Sequence, residues 1–341
     1  MRNHEVTTMH RLLDEKGHVL EPGWARRLNW QYDRHDVKVP KFRIKEWDYY
    51  LVLAEDFGVA FTISDNGYFG LQSASFLDFT APREHTESLV TAFPMGKLRM
   101  PADSSGGRSA YRKKDRLALQ FVAEPGKRHI RCKFKNFDGE KDLLCDIVLE
   151  QPPMDTMVIA TPWKEDPKCF YYNQKINCMR ASGKVIYGDK MYQFHPETDF
   201  GTLDWGRGVW TYDNTWYWGS GNGTVDGKPF GFNLGYGFSD RTSASENILF
   251  YDGVGHKLDD VTFHIPADDY TKPWTISSSD GRFEMDFIPI IDRSANMDFK
   301  LILSDQHQVF GRMSGKAVLD DGTVLEVKDL LCFAEKVHNR Y

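Results

Sequence analysis

Apolar and polar residues alternate over short runs along most of the chain, and turn residues separate the runs. Stretches such as YYLVLAEDFGVAFTIS, RLALQFVAEPGKRHIRCKF and GKAVLDDGTVLEVKDLLCFAEKV carry this two-residue period, which is typical of strands with one buried face. Asp-Gly pairs, which favour tight hairpin turns, lie at Asp138-Gly139, Asp226-Gly227, Asp280-Gly281 and Asp321-Gly322. The pattern predicts an all-β protein of antiparallel meanders. The closest approach to a helical period, in residues 83–93, is expected to form a short helix or a loop.

The number of predicted strands determines how the sheets are expected to close. An open meander exposes unpaired backbone groups at its edges, and closure into a barrel removes them. One sheet of this length would be unusually large, so we expect two antiparallel barrels or sandwiches packed together. Prolines interrupt the pattern near the middle of the chain, at Pro152, Pro153, Pro162 and Pro167. We therefore expect an N-terminal half, with an arm, over residues 1–155 and a C-terminal half over 156–341.

Composition narrows the class of protein. The 341 residues are 41% hydrophobic and 14% aromatic, which allows a sizeable core. The net charge of -6 argues against a nucleic-acid partner, which would require a basic surface. No apolar run reaches the roughly 20 residues needed to span a bilayer, and the polar N-terminus lacks a secretory signal. The five cysteines show no CxxC pair and no histidine pair has metal-ligand spacing, so we expect a cytoplasmic protein with free thiols and no bound metal.

The segment DWGRGVWTYDNTWYW, residues 204–218, places an acid and an arginine among large aromatic side chains. In a regular strand Asp204 and Arg207 face opposite sides, and they share a face only if Gly206 or Gly208 forms a bulge. The functional interpretation is a pocket formed with the later segment GFNLGYGFSDRTSASEN. Its polar lining would comprise Asp204, Arg207, Asn233, Tyr236 and Glu246, and its walls Trp205, Trp210, Tyr217 and Trp218, with Asn247 and His195 as further ligand contacts. The alternative is a structural Asp–Arg pair with aromatic rings filling a barrel.

Roles follow from the chemistry of these side chains. Shielding by aromatic rings disfavours the charged form of a carboxyl, so Asp204 would be the proton donor. Arg207 would position it or hold an anionic group, and Glu246 would be the second acid/base group. Asn233 and Tyr236 would orient the substrate. The first hypothesis is thus a cofactor-independent enzyme that hydrates, isomerises or cyclises a small, partly apolar molecule.

Two other functional classes use the same residues. A carbohydrate-active enzyme, a glycoside hydrolase or a lyase, would stack sugars on Trp and Tyr and flank the glycosidic bond with two carboxylates. A small-molecule binding protein would use Asp204 and Arg207 only to orient its ligand. The expected partner is therefore a small molecule or a glycan, and the sequence leaves the oligomeric state open.

Four motifs resemble those of a known family. LLDEKGHVLEPGWAR, YDRHDVK, DWGRGVWTYDNTWYWGSGNG and NLGYGFSDRTSASENILFYDG are similar, across almost the whole chain, to a large and mostly bacterial family labelled a domain of unknown function. That family is distantly similar to lipocalin-like double-barrel proteins, among them carotenoid hydratases, AttH-type proteins, tocopherol cyclases and fungal Diels–Alderases. The resemblance implies two lipocalin-like, calycin-type barrels with a ligand pocket in or between them. Asp204, Trp205 and Gly206 stand where the hydratases carry an Asp-His-x-Trp-Gly segment, and their histidine has no counterpart here.

Overall fold

The computed structural model describes residues 3–298 and 303–340, and within them the chain is almost entirely β. The first fifteen strands are β1 (His10–Arg11), β2 (Gly23–Ala25), β3 (Trp30–Gln31), β4 (Ile44–Leu53), β5 (Phe57–Asp65), β6 (Phe69–Asp78), β7 (Arg83–Ala92), β8 (Gly107–Lys113), β9 (Leu117–Glu124), β10 (Lys127–Asp138), β11 (Lys141–Glu150), β12 (Met157–Pro162), β13 (Phe170–Tyr187), β14 (Lys190–Phe194) and β15 (Phe200–Val209). The remaining strands are β16 (Asp213–Val225), β17 (Lys228–Tyr236), β18 (Ile248–Tyr251), β19 (Val254–Lys257), β20 (Val261–His264), β21 (Trp274–Ser278), β22 (Phe283–Asp298), β23 (Leu303–Val318) and β24 (Val324–Arg340). Two short 3-10 turns, Arg34–Asp36 and Lys41–Arg43, follow β3.

The first large sheet runs in the order β7-β6-β5-β4-β15-β13-β11-β10-β9-β8, with β2, β12 and β14 attached alongside β13. It curls until its ends meet. His85 Nε2 on β7 bonds to the Phe137 carbonyl on β10 at 2.8 Å, and Thr91 Oγ1 donates to the Tyr111 hydroxyl on β8 at 3.1 Å. Residues 83–92, expected to be a helix or loop, are thus a strand. Alternate side chains there face solvent, and the ladder to β6 outweighs the weak helical period.

The second large sheet has the order β19-β18-β17-β16-β24-β23-β22-β21-β20. It curls in the same way, because the Phe263 backbone N–H on β20 donates to the Tyr236 hydroxyl on β17 at 2.9 Å. All pairings within this sheet are antiparallel. The two curled sheets confirm the predicted fold class of two lipocalin-like halves packed together.

Side chains fill the barrel interiors. In the first barrel Trp205, Tyr172 and Phe134 are almost completely buried, and a cavity of about 20 Å³ beside Trp205 has room for about one water molecule. A third apolar cluster, including Tyr49, Trp218 and Phe333, lies where the two sheets face each other. Large side chains therefore occupy both the barrels and the junction between them.

The change from one sheet to the other falls at residues 210–212, between β15 and β16. The boundary expected at residues 155/156 lies within the first sheet, because β12 to β15 all pair there. The N-terminal arm contacts both halves. Strand β2 pairs with β12, while Arg26 reaches Asp155 and the Gly255 carbonyl, each at 2.7 Å.

Candidate functional site

Strand β15 carries no bulge at Gly206 or Gly208. Its register with β4 is unbroken from Phe200 to Val209, so the bulge considered at Gly206 and Gly208 is absent. With a side-chain period of two, Asp204 and Arg207 must point to opposite faces of the sheet. The structure therefore separates the acid and the arginine that were expected to share one pocket.

Arg207 points into the first barrel and is fully buried. Its guanidinium donates to Asp48 Oδ1 at 3.1 Å and to the Pro101 carbonyl at 2.8 Å, and it lies 4.2 Å from the centre of the Trp205 ring. Arg207 thus forms its ion pair with Asp48, so neither the shared pocket nor a structural pair between Asp204 and Arg207 is present. The Trp205 side chain faces the same barrel interior, so it lies on the opposite face of the sheet from the Asp204 side chain.

Asp204 points to the other face, toward the second sheet. Its Oδ1 accepts from Asn173 Nδ2 at 2.6 Å and lies 2.8 Å from Lys175 Nζ. Trp47 Nε1 donates to Oδ2 at 3.1 Å. Asp204 and Lys175 are 8% and 3% exposed, so this is a buried ion pair. Two neutral N–H donors and one ammonium group therefore surround this buried carboxyl group.

The second sheet continues this polar network. Lys175 Nζ lies 3.8 Å from the Trp218 ring centre, a cation–π contact in a desolvated place. Trp218 Nε1 donates to Asn233 Oδ1 at 2.8 Å, and Asn233 Nδ2 donates to the Glu246 carbonyl at 2.9 Å. A continuous set of contacts thus joins Asp204 of the first sheet to Glu246 beside the second. We use the name junction cluster for six residues: Asp204, Lys175, Trp218, Asn233, Glu246 and Tyr171.

Glu246 is a buried acid that forms no ion pair in the described part of the chain. It is 3% exposed, its carboxyl accepts from Asn233 Nδ2 at 3.4 Å, and the Tyr171 side chain lies close to it. Burial raises the pKa of the Glu246 carboxyl, and the nearby charge of Asp204 adds to this effect, while Lys175 opposes it. Such a group holds its proton at a higher pH than a free glutamic acid and can deliver it to a substrate.

The remaining predicted residues fall into different places. Tyr217 and Tyr236 stack at 4.5 Å and pack against the second barrel core, away from Asp204. Asn247 accepts from the Gly235 N–H at 2.8 Å and donates to the Asp259 carbonyl at 2.9 Å, a structural arrangement. His195 is exposed in the turn after β14. Of the predicted set, the structure brings together Asp204, Trp218, Asn233 and Glu246, and their catalytic and binding roles stay predictions.

Several residues of the site were missed in the sequence. Asn173 and Lys175 lie two residues apart on β13 and share a face with Tyr171, and two polar residues on one face of an aromatic-rich strand were an available signal. Glu335 on β24 is a second buried acid, which accepts from Trp216 Nε1 at 3.0 Å and Gln308 Nε2 at 2.8 Å. Burial raises its pKa to about 7.

Aromatic rings separate the junction cluster from an open cleft. Trp210 stacks on Phe238 at 5.3 Å and lies 5.7 Å edge-on from Tyr171. On the far side of Phe238 and Trp163 is a cleft of about 650 Å³, formed by residues of both halves. Ligand pockets in proteins typically have volumes of about 300–1,000 Å³.

The described residues contain no group of three or more His, Cys, Asp or Glu side chains arranged to hold a metal ion. Within residues 3–298 and 303–340, no helix has the length and apolar character that a membrane crossing requires.

Comparisons with solved structures show the fold. A protein from Nitrosomonas europaea assigned as an AttH is 12% identical, with a TM-score of 0.55 over 93% of this chain and 99% of that chain. CghA in complex with Sch210972 is 9% identical, with a TM-score of 0.52 over 88% and 89%. Kievitone hydratase from Nectria haematococca is 9% identical, with a TM-score of 0.50 over 87% and 88%. No curated protein matches the chain in sequence.

The sequence itself identifies the family. The model for a domain of unknown function, DUF2804, matches residues 3–341, which include the DWGRGVWTY segment and every residue of the junction cluster. The chain therefore belongs to the DUF2804 family.

Proposed function

We propose that the protein is a cofactor-independent acid/base enzyme of the hydratase, isomerase or cyclase type. It acts on a small, partly apolar molecule at the junction of the two barrels. The observation that carries the proposal is Glu246, a buried carboxyl that accepts a hydrogen bond from the neutral Asn233 amide and lies close to the neutral Tyr171 side chain. Such a carboxyl stays protonated where a solvated one is ionised.

The roles of the two acids follow from their partners. Asp204 is ion-paired with Lys175 and accepts a hydrogen bond from Asn173, so the proton donor of the proposal is Glu246 instead. Protonation of an alkene or enol by Glu246 leaves a cation. The carboxylate of Asp204 and the faces of Trp218 and Trp210 can stabilise positive charge in a site with little water.

The surroundings of Glu246 support an apolar substrate over a glycan. The acid lies behind aromatic rings and not in an open groove. The likeness to kievitone hydratase supports the same reaction class, since that protein's name states a hydration. The following experiment is designed to identify the particular reaction and the substrate.

The test follows a proton from solvent to carbon. Small molecules that co-purify with the protein are extracted, incubated with fresh enzyme in D2O, and analysed by mass spectrometry for deuterium bound to carbon. The wild-type protein is expected to catalyse incorporation of deuterium into the small molecule. Glu246→Gln should do so at least about 100-fold more slowly, because a positioned general acid accelerates a reaction by about 10²–10⁴-fold.

The matched control is Glu326→Gln, the same change at an exposed position of β24, which should leave the rate unaltered. Equal incorporation by wild type and Glu246→Gln would refute the proposed role of Glu246. Melting curves for all three proteins separate a loss of rate from a loss of folding.

A further inference from the structure

The cleft opens where the two halves meet, and its residues come from three segments and the single residue Asp260. Trp163 to Glu165 follow β12, Asp213 to Thr215 begin β16, Gly237 to Thr242 follow β17, and Asp260 precedes β20. Its volume of about 650 Å³ suits a small organic molecule. Because both sheets build it, the cleft belongs to the same junction as Glu246.

Phe238 is the side chain between the cleft and the acid. One side of Phe238 lines the cleft. The other side meets Tyr171 edge-on at 4.8 Å and stacks on Trp210 at 5.3 Å, and Tyr171 lies close to Glu246. A single layer of rings therefore separates the cleft from the Tyr171–Glu246 pair.

The backbone around Phe238 allows its ring to move without unfolding a strand. Gly237 has φ +103° and Ser239 has φ +51°, so Phe238 lies between two residues in the left-handed region, outside the strands. The segment stays anchored beyond the ring. Ser239 Oγ is 2.9 Å from Thr161 Oγ1, and the Asp240 N–H donates to the Pro162 carbonyl at 2.7 Å.

A hydrogen-bond donor lies behind the ring. Trp210 Nε1 is a buried atom with no hydrogen-bond partner in the described part of the chain, which is uncommon for a buried indole N–H. It belongs to the ring on which Phe238 stacks. An acceptor atom of a ligand that displaced Phe238 would satisfy this donor.

The charge of the cleft restricts what can enter. The lining carries the acids Glu165, Asp213, Asp240 and Asp260 against the bases Lys164 and Arg241. Lys164 lies 3.5 Å from Asp240, and Arg241 lies 3.8 Å from Asp260. The surplus of carboxylates repels anionic groups and accepts cationic or neutral hydrogen-bonding groups.

We infer that the substrate is an amphipathic molecule whose polar, non-anionic end stays in the cleft while its apolar end displaces Phe238 to reach Glu246. This inference rests on the proposed function and specifies its substrate class. Phe238 sets the size of the apolar group that is admitted, so it is a specificity-determining residue.

The experiment uses three probes that share a naphthalene ring system and differ in their polar group: naphthylmethylamine, naphthylmethanol and naphthoate. Calorimetry at low salt is expected to give binding of the amine and the alcohol to wild type, with naphthoate at least about tenfold weaker. The difference should shrink as salt screens the carboxylates. Phe238→Ala should bind the amine and the alcohol about tenfold more tightly than wild type, because no ring has to be displaced. Phe238→Leu, a milder truncation, should give a smaller gain.

Phe79→Ala is the matched control, since Phe79 is also 9% exposed but packs against Phe310 elsewhere in the junction. It should leave the affinities for all three probes unchanged. Unchanged binding in both folded Phe238 variants, or naphthoate bound as tightly as the amine, overturns the inference. Glu246→Gln should bind the probes like wild type, so loss of deuterium incorporation without loss of probe binding tests the proposed function separately.

Discussion

Asp204 and Lys175 form an ion pair whose energetics differ from those of a surface pair. Both side chains have left water, at a cost that their mutual attraction and hydrogen bonds must offset. Asn173 and Trp47 donate to the same carboxylate, and the Trp218 ring covers the ammonium group. The cost of removing each charged group from water is therefore offset only while the other group is present.

Asp204→Asn and Lys175→Met should each lower the free energy of unfolding by about 3–5 kcal/mol, because each leaves a buried charge unpaired. The double variant should lose clearly less than the sum of the two single losses. Urea denaturation measures all three.

The exposed pair Arg131–Asp146, at 3.4 Å, provides the control. Asp146→Asn should cost less than about 1 kcal/mol. Strict additivity of the two buried substitutions would show that the Asp204–Lys175 pair does not act as a unit.

At the scale of strands, two glycines make room for large side chains at the junction. Gly206 on β15 lies opposite Trp47 on β4, and a Cβ at Gly206 would meet the Trp47 ring at 2.0 Å. A Cβ at Gly235 on β17 would meet Glu246 Oε1 at 2.1 Å. The glycines thus let Trp47 reach Asp204 and let Glu246 lie against the second sheet.

Gly206→Ala and Gly235→Ala are therefore expected to displace Trp47 and Glu246, respectively. Forcing an extra methyl group into a filled site costs about 1–3 kcal/mol, measurable by urea denaturation. Gly235→Ala should also slow deuterium incorporation, because it moves the proposed proton donor.

Gly106→Ala is the control, since a Cβ there meets nothing within 4 Å, and its stability should match that of wild type. Wild-type stability for Gly235→Ala would mean that Glu246 has room to move aside.

At the scale of the whole molecule, packing two barrels together buries two acids at their junction. Burial raises the pKa of Glu335 from 4.5 to about 7 and also raises the pKa of Glu246. Between these pH values the unfolded chain releases a proton that the folded protein keeps. The contribution of each carboxyl group to the free energy of unfolding is fully present below pH 4.5. It is lost as the pH rises through the pKa of that group in the folded protein. Lys45 and Lys257, whose pKa values burial lowers to about 7, act above that range, where they add stability as pH rises.

Glu335→Gln should therefore gain stability relative to wild type as the pH rises from 5 to 8, by up to about 3 kcal/mol. The difference between the two proteins isolates Glu335 from every other titrating group. Urea denaturation at several pH values provides the measurement. Glu326→Gln, on the exposed face of the same strand, should show a nearly constant difference from wild type. A constant difference for Glu335→Gln as well would contradict its raised pKa.

Sequence periodicity predicted the parts of the fold that are local. Alternation and Asp-Gly turns predicted two antiparallel barrels. The pocket that was predicted to contain both Asp204 and Arg207 required a bulge in β15, and the unbroken register with β4 places the two side chains on opposite faces. Periodicity says which residues share a face, but not which face meets a second sheet. Lys175 was missed for that reason, and Tyr236 was assigned to the site although its face packs on the second barrel core.

Three indole N–H groups report directly on the polar atoms of the junction. Trp47 donates to Asp204, Trp218 to Asn233 and Trp216 to Glu335. Indole emission responds to charge and to hydrogen bonding at the ring nitrogen, so the protein carries its own optical reporters. Ionisation of Glu335 or binding of a ligand at the junction can then be followed by intrinsic tryptophan fluorescence, without any attached label.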